Sequence, residues 1–419
     1  MKTIYKHIVF LIFLFISITK LSAQDRNVVW VHGFGDDKSS WEHYEAIFTQ
    51  ERQINSLRET YNTYKGIDYA AYKVINSVNV LGSDATNPRN IAVGHSMGGL
   101  MIRDVDRLTG TSKRFGGLIT VATPNYGAPI ANSLIAGSVV NAAANACNKL
   151  GAGPIAQLFS LPWNIIGNNI STNYICKLFI ENNFIQDLQN TSTTKNDLRV
   201  GSSTINKINS HNTTIPRISI WAQENSPVHW RMLSSERSEG ANDTELISTV
   251  NNVRGVYNFY YTYNITRSIN TSWWNPLLSA MYLYRANRWK KGRDWIDNSE
   301  SVWNSLIKTT RVETHTYSHW EYRCVYYWGD RVIDPNDCEW KWVLVTTTQY
   351  VTVNYPSDGL LPEYTQKLKG IPGGNIYRVL GANHLEVRDM SNCPRDNTKI
   401  KFNEIWTRPY WDFFHTEKR

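Results

Sequence analysis

Asn90-Ile91-Ala92-Val93-Gly94-His95-Ser96-Met97-Gly98-Gly99-Leu100-Met101-Ile102 is the stretch that decides the fold. The apolar run from Asn90 to Val93 suits a buried strand, and a helical pattern runs from Leu100 to about Leu108. Between them Ser96 has a glycine two residues before it and another two residues after. Small residues at those positions let a sharp strand-to-helix turn close without a Cβ clash, and the turn lifts a serine hydroxyl clear of the sheet. Ser96 is therefore the candidate nucleophile.

The same rhythm continues on either side. Upstream, Asn27-Val28-Val29-Trp30-Val31 is a short apolar strand, followed by the turn-rich His32-Gly33-Phe34-Gly35-Asp36-Asp37. A helix is expected from Ser39, where Ser39 and Glu42 have capping-box spacing. Its apolar face would run through Trp41, Tyr44, Ile47, Phe48, Ile54, Leu57, Tyr61 and Tyr64. A second helix is expected over residues 67–80. Downstream, strands are expected at Gly116 to Val121, Ile215 to Trp221 and Arg378 to Leu380, with a last helix bearing Trp406, Tyr410 and Phe413. Strands alternating with helices predict an α/β fold, with a mostly parallel central sheet flanked by helices.

With 419 residues the chain can bury a large core and still carry insertions. Residues 1–23 read as an export signal: Lys2 and Lys6, a short apolar run from Ile8 to Ile18, then Leu21-Ser22-Ala23 before Gln24. The apolar run is too short to span a bilayer, which takes about 20 residues. The expected location is therefore secreted, periplasmic or cell-surface after cleavage. Removing Lys2, Lys6 and Lys20 lowers the formal charge from +8 to +5. That charge is too mild and dispersed for a nucleic-acid partner. Five cysteines in an exported chain imply disulfides and one leftover thiol. Cys324 and Cys338 are the expected pair, with Cys147 and Cys176 a second possibility and Cys393 odd.

The expected core consists of residues 24–127, 197–227 and 354–419. Residues 128–196 read as a helical lid or fixed cap. Residues 228–353 form an aromatic insertion holding 10 of the 16 tryptophans. In its first half Leu278, Met281, Tyr282, Arg285 and Trp289 share a helical face. Its second half predicts a β-hairpin, Trp320 to Trp328 and Trp340 to Tyr355, around Asp334-Pro335-Asn336-Asp337. Cys324 and Cys338 would face each other across it. These aromatics can build a core or present a binding surface. Arg285, Arg288, Lys290, Lys291 and Arg293 around Trp289 make either a solvated face or a site suited to anionic headgroups.

A serine nucleophile needs a base, an acid behind the base, and donors for the oxyanion. His384, in Gly381-Ala382-Asn383-His384 after the last strand, is the candidate base. His32 and His95 lie inside the motifs already assigned and read as packing or hydrogen-bonding residues. Asp358, in Pro356-Ser357-Asp358-Gly359-Leu360, precedes His384 and is the candidate acid; Asp-Gly is also simply a turn signal. Asp243, Asp330, Asp334 and Asp337 compete with it from inside the insertion. By position, the backbone N–H groups of Phe34, after the first strand, and Met97, after the nucleophile, are the oxyanion donors. His315 and His319 are too isolated to argue for a metal.

Together with Ala122-Thr123-Pro124-Asn125-Tyr126-Gly127, Ser357-Asp358-Gly359-Leu360 and Asn383-His384-Leu385-Glu386, the Ser96 and His32 motifs resemble those of bacterial lipases of the α/β-hydrolase superfamily. The resemblance covers residues 27–127, about 197–222, and 355–390. It implies a Ser96–His384–Asp358 triad and hydrolysis of acylglycerols or related esters, with no cofactor. Some relatives hold a structural calcium with an aspartate two residues after the histidine. Here that position is Glu386, so calcium is not carried over. Residues 228–353 match nothing in the family. The same triad would also serve a thioesterase, amidase or acyltransferase. A different class of reading is an inactive hydrolase body used as an aromatic-rich binding module.

Overall fold

The computed structural model describes residues 27–42, 44–46, 56–79, 90–150, 183–224, 243–326 and 338–388. The expected export signal, the C-terminal helix, the hairpin turn at residues 334–337, and Cys176 and Cys393 lie outside them.

Six strands form one parallel sheet. In chain order they are β1 (Val28–Val31), β2 (Ser56–Arg58), β3 (Ile91–His95), β4 (Gly117–Val121), β5 (Arg217–Gln223) and, late in the chain, Ile376–Leu380. The spatial order is β2-β1-β3-β4-β5 and then the late strand. The central strands VVWV, IAVGH and GLITV are buried at every position, as expected where helices cover both faces of a parallel sheet. Alternate side chains feed two cores. Val28, Trp30, Ile91 and Val93 point into one, with Trp41, Tyr44, Ile119 and Ile220. Val29, Val31, Ala92 and Leu118 point into the other, larger one.

Helices α1 (Ile67–Val78) and α2 (Met97–Thr109) pack against each other over the larger core. Then come α3 (Pro129–Ile135), α4 (Ser138–Leu150), α5 (Asn183–Asn190), α6 (Ser192–Leu198) and α7 (Ser203–Ser210). The side chain of Ser202 caps α7 by accepting from Ile205 N at 3.0 Å.

The helix expected from Ser39 is present at Glu42 and at residues 44–46, but its apolar pattern does not carry on as one helix to Tyr64, because residues 56–58 are a strand. A short 3₁₀ turn, Lys38–Trp41, leads into it, with Asp37 as its N-cap, accepting from Ser39 N at 2.7 Å. Leu57 belongs to β2, where the open edge of β1 supplies backbone partners that outweigh the helical spacing.

The insertion consists of α8 (Asp243–Thr271) and α9 (Pro276–Ile307), then a two-stranded antiparallel ribbon of β6 (Thr310–Tyr326) and β7 (Cys338–Asn354). The late strand of the sheet is thus β8, and a short helix, α10 (Glu363–Gln366), precedes it. Proline at the first turn of α9 and Asn275, whose side chain accepts from Leu278 N at 3.0 Å, start α9 cleanly. The α8–α9 pair is locked by Tyr257 and Tyr260 on Trp289, with ring centroids 5.3 and 4.6 Å apart.

β6 begins ten residues earlier than the tryptophan spacing suggests, and β7 two. The near half of β6 is mostly polar, with Thr310, Arg311, Glu313, Thr314, His315 and Thr316, and so gives no apolar alternation. Cys324 is disulfide-bonded. It lies opposite Trp340, while Cys338 lies opposite Tyr326, so the two cysteines are diagonal rather than facing.

The tryptophans of the insertion divide by distance from the body. Trp289, Trp295 and Trp303 are buried in the larger core, whereas Trp273, Trp274, Trp320, Trp340 and Trp342 are exposed.

Candidate active site

Ser96 stands at the junction of β3 and α2 with φ 52° and ψ −126°, backbone angles that a side chain rarely adopts. Holding a residue there costs about 1–3 kcal/mol, which the surrounding structure must offset. The turn is clamped by Ser96 N donating to Val121 O at 2.9 Å. It closes only because its neighbours lack Cβ atoms. A Cβ on Gly94 would sit 2.5 Å from the Gly98 carbonyl, and one on Gly98 would sit 2.4 Å from Val31 O. Ser96 is the N-cap of α2, yet its side chain makes no capping bond, so Oγ is left for other work.

That oxygen lies 3.0 Å from His384 Nε2, and His384 Nδ1 lies 2.7 Å from Asp358 Oδ2. A carboxylate only accepts, so Nδ1 carries the proton and Nε2 presents its lone pair to the Ser96 hydroxyl. The other carboxylate oxygen, Oδ1, accepts from Leu360 N at 2.9 Å and Leu361 N at 2.6 Å. His384 N donates to Asp358 O at 2.8 Å, joining the two loops through backbone as well. All three residues are buried. Of the candidate acids, it is Asp358 that meets the imidazole.

The loop after β1 runs over the elbow: a Cβ on Gly33 would lie 2.9 Å from Ser96 Cβ. Phe34 follows on this loop, and Met97 is the first residue of α2, where a backbone N–H has no partner inside the helix. The positive end of the α2 dipole also points at the site and favours a developing anion. The loop is braced from several sides. Tyr61 OH donates to His32 O at 2.7 Å, and the two rings stack 4.0 Å apart. Gly35 N donates to Thr63 Oγ1 at 3.1 Å, and Asp36 pairs with Arg388 beyond the histidine loop. Burial lowers the pKa of His32 to about 4, so its ring is neutral near pH 7.

Several positioning contacts leave no local signature. His95 Nε2 donates to His384 O at 2.8 Å; burial, with the neighbouring His384, holds its pKa well below the ordinary value. Trp303, in the insertion, donates its indole N–H to Gly359 O at 2.6 Å, directly behind the acid. Gln366 donates to Leu361 O at 2.7 Å and accepts from Ala222 N at 3.0 Å, stitching the acid turn to β5. Nothing in the sequence around Trp303 points to the acid loop, 56 residues further on; the folded chain brings the two together. Glu386 accepts from Asn383 N at 2.9 Å, so it serves the turn that carries His384.

The strand order, the strained elbow and the Ser…Asp…His chain order are those of the α/β-hydrolase fold. No family profile and no curated protein sequence matches the chain. Among solved structures it is similar to the mature form of a Bacillus licheniformis lipase, BlEst2. That match has 9% identity and a TM-score of 0.36, with 93% of this chain and 92% of the other covered. Phospholipase PlaB from Legionella pneumophila is 16% identical, TM-score 0.31, over 50% of this chain; the chain spans 41% of that protein. An extracellular α/β-hydrolase from a Paenibacillus species is 15% identical, TM-score 0.27, over 46% of this chain and 76% of its own.

Proposed function

We propose that the chain is an exported serine hydrolase that cleaves carboxylic esters, lipid esters foremost, through an acyl-enzyme on Ser96. The observation that carries the reading is the unbroken hydrogen-bond line from Ser96 Oγ through His384 to Asp358 at a strained elbow. His384 Nε2 takes the hydroxyl proton as Oγ attacks the acyl carbonyl, and Asp358 stabilises the imidazolium. The N–H groups of Phe34 and Met97 receive the oxyanion. His384 then protonates the leaving alkoxide, which departs as the alcohol. Water, deprotonated by the same nitrogen, attacks the acyl-enzyme and releases the acid.

The test is hydrolysis of p-nitrophenyl esters, acetate through palmitate, by the chain from Gln24 onward and by its Ser96→Ala variant. Turnover should fall by about 10⁶-fold in the variant. Rates that rise with chain length support a lipase, and rates confined to acetate and butyrate redirect the reading to a short-chain esterase. Equal activity in both proteins removes Ser96 from the chemistry.

A further inference from the structure

The distal half of the α8–α9 hairpin projects apolar residues that no core covers. Its tip is Trp273-Trp274-Asn275-Pro276-Leu277, with Trp273 83%, Trp274 55% and Leu277 84% exposed. Single exposed apolar side chains are ordinary, but two tryptophans and a leucine at the apex of a projecting hairpin are not. The charge along the hairpin is one-sided. From Leu246 to Arg293 the sequence has no aspartate or glutamate and seven cations. Three of these sit toward the base and are neutralised there: Arg254 pairs with Asp297, and Lys290 and Arg293 pair with Asp294. Arg267, Arg285, Arg288 and Lys291 make no ion pair among the described residues.

The spacing of these groups from the tip decides what they fit. Arg267 lies six residues before Trp273, and Arg285 and Arg288 lie eight and eleven after Leu277. At about 1.5 Å per helical residue, the three cations stand roughly 9, 12 and 17 Å behind the apex. Tryptophan favours the boundary where one side is apolar and the other wet, and long cationic side chains about two to three turns behind can reach headgroup phosphates. None of the described helices is long and apolar enough to cross a membrane, so the arrangement suits docking rather than spanning.

We infer that the α8–α9 tip is a docking element for an anionic lipid surface, with Trp273, Trp274 and Leu277 entering the interface and Arg267, Arg285 and Arg288 reading its negative charge. This inference does not depend on the proposed ester chemistry, since docking needs no turnover.

The test is vesicle flotation of the chain from Gln24 onward carrying Ser96→Ala, so that the lipid stays intact. The vesicles are pure phosphatidylcholine or phosphatidylcholine with 30% phosphatidylglycerol, each in low and high salt. Each cation near an anionic surface contributes about 1 kcal/mol, so Arg267→Gln, Arg285→Gln and Arg288→Gln together should weaken binding to the anionic vesicles about 100-fold. The triple change Trp273→Ser, Trp274→Ser and Leu277→Ser should abolish flotation. Thermal melting checks that each variant is folded, and both sets of changes lie on exposed or half-buried positions. Equal binding of the parent to both vesicle types overturns the inference, as does undiminished binding by a folded tip variant. Self-association of the parent without vesicles, lost in the tip variant, assigns the tip to a second copy of the chain and also overturns it. Failure of flotation beside active ester hydrolysis rejects docking alone; flotation beside inactive Ser96 chemistry rejects the proposed function alone.

Discussion

Asp358→Asn exchanges one carboxylate oxygen for an NH₂ group with almost no change of shape, and the structure dictates which way the amide must face. The Oδ1 position accepts two backbone N–H groups, from Leu360 and Leu361. An NH₂ placed there would meet both donors, so the amide oxygen has to stay on that side. The NH₂ then faces His384 Nδ1, which can answer only as an acceptor, and the imidazole proton moves to Nε2. The nitrogen 3.0 Å from Ser96 Oγ becomes a donor and can no longer take the hydroxyl proton. A wrong tautomer held in correct geometry costs about 10⁴ in kcat, or roughly 5.4 kcal/mol of transition-state stabilisation. Binding of the ester is untouched, so KM should hardly move. The assay is steady-state hydrolysis of whichever p-nitrophenyl ester the parent prefers, read beside the melting curve. Trading one charge-assisted bond for a neutral one should cost about 1–2 kcal/mol of stability, leaving the protein folded at 25 °C. A folded Asp358→Asn variant within tenfold of parental kcat would refute the reasoning, because it would show that nothing at His384 depends on which group position 358 presents.

Other perturbations test the scaffold around the site. Gly98→Ala places a methyl group within 2.6 Å of the Val31 and His32 carbonyls, and backbone cannot step aside cheaply. It should cost about 3 kcal/mol, read as a lowered melting temperature, together with loss of ester hydrolysis. Trp303→Phe removes the indole donor to Gly359 O while keeping an aromatic ring in the core. A stability loss of about 1–2 kcal/mol with kcat falling more than KM rises is expected, and unchanged kcat in a destabilised protein would make the contact purely structural.

The folded pKa of His32, about 4, lies below the free value of 6.5, so the unfolded chain takes up that proton first. The stability held above pH 6.5 therefore drains as pH falls toward 4, by about 3 kcal/mol for this group. Urea unfolding of wild type and His32→Phe at pH 7 and pH 4 should show the variant losing less by that amount; parallel losses would remove His32 as the source.

Several elements were legible because their physics is local. Strands β1, β3 and β4 are buried at every position and read as largely apolar runs, since a parallel strand covered on both faces has no polar side to display. The elbow announces itself through Gly94 and Gly98, whose missing Cβ atoms are a demand of the turn itself. By contrast β2 is a three-residue, half-buried edge strand whose Leu57 fits a helical pattern equally well. What makes it a strand is the edge of β1, which no local window contains.

Chain order nominated Asp358 and His384, but their approach to Ser96 across 288 residues of separation is made by the sheet, which brings the ends of β3, β5 and β8 to one edge. The tryptophans show the same division of labour. Helical spacing tells which residues of α9 share a side, and so predicts that Trp289 packs. It does not tell where along α9 the body of the protein ends. Burial belongs to a position together with its neighbours, and those neighbours are chosen by the fold: Trp289 meets Tyr257 and the core, while Trp273, on the same hairpin, meets solvent.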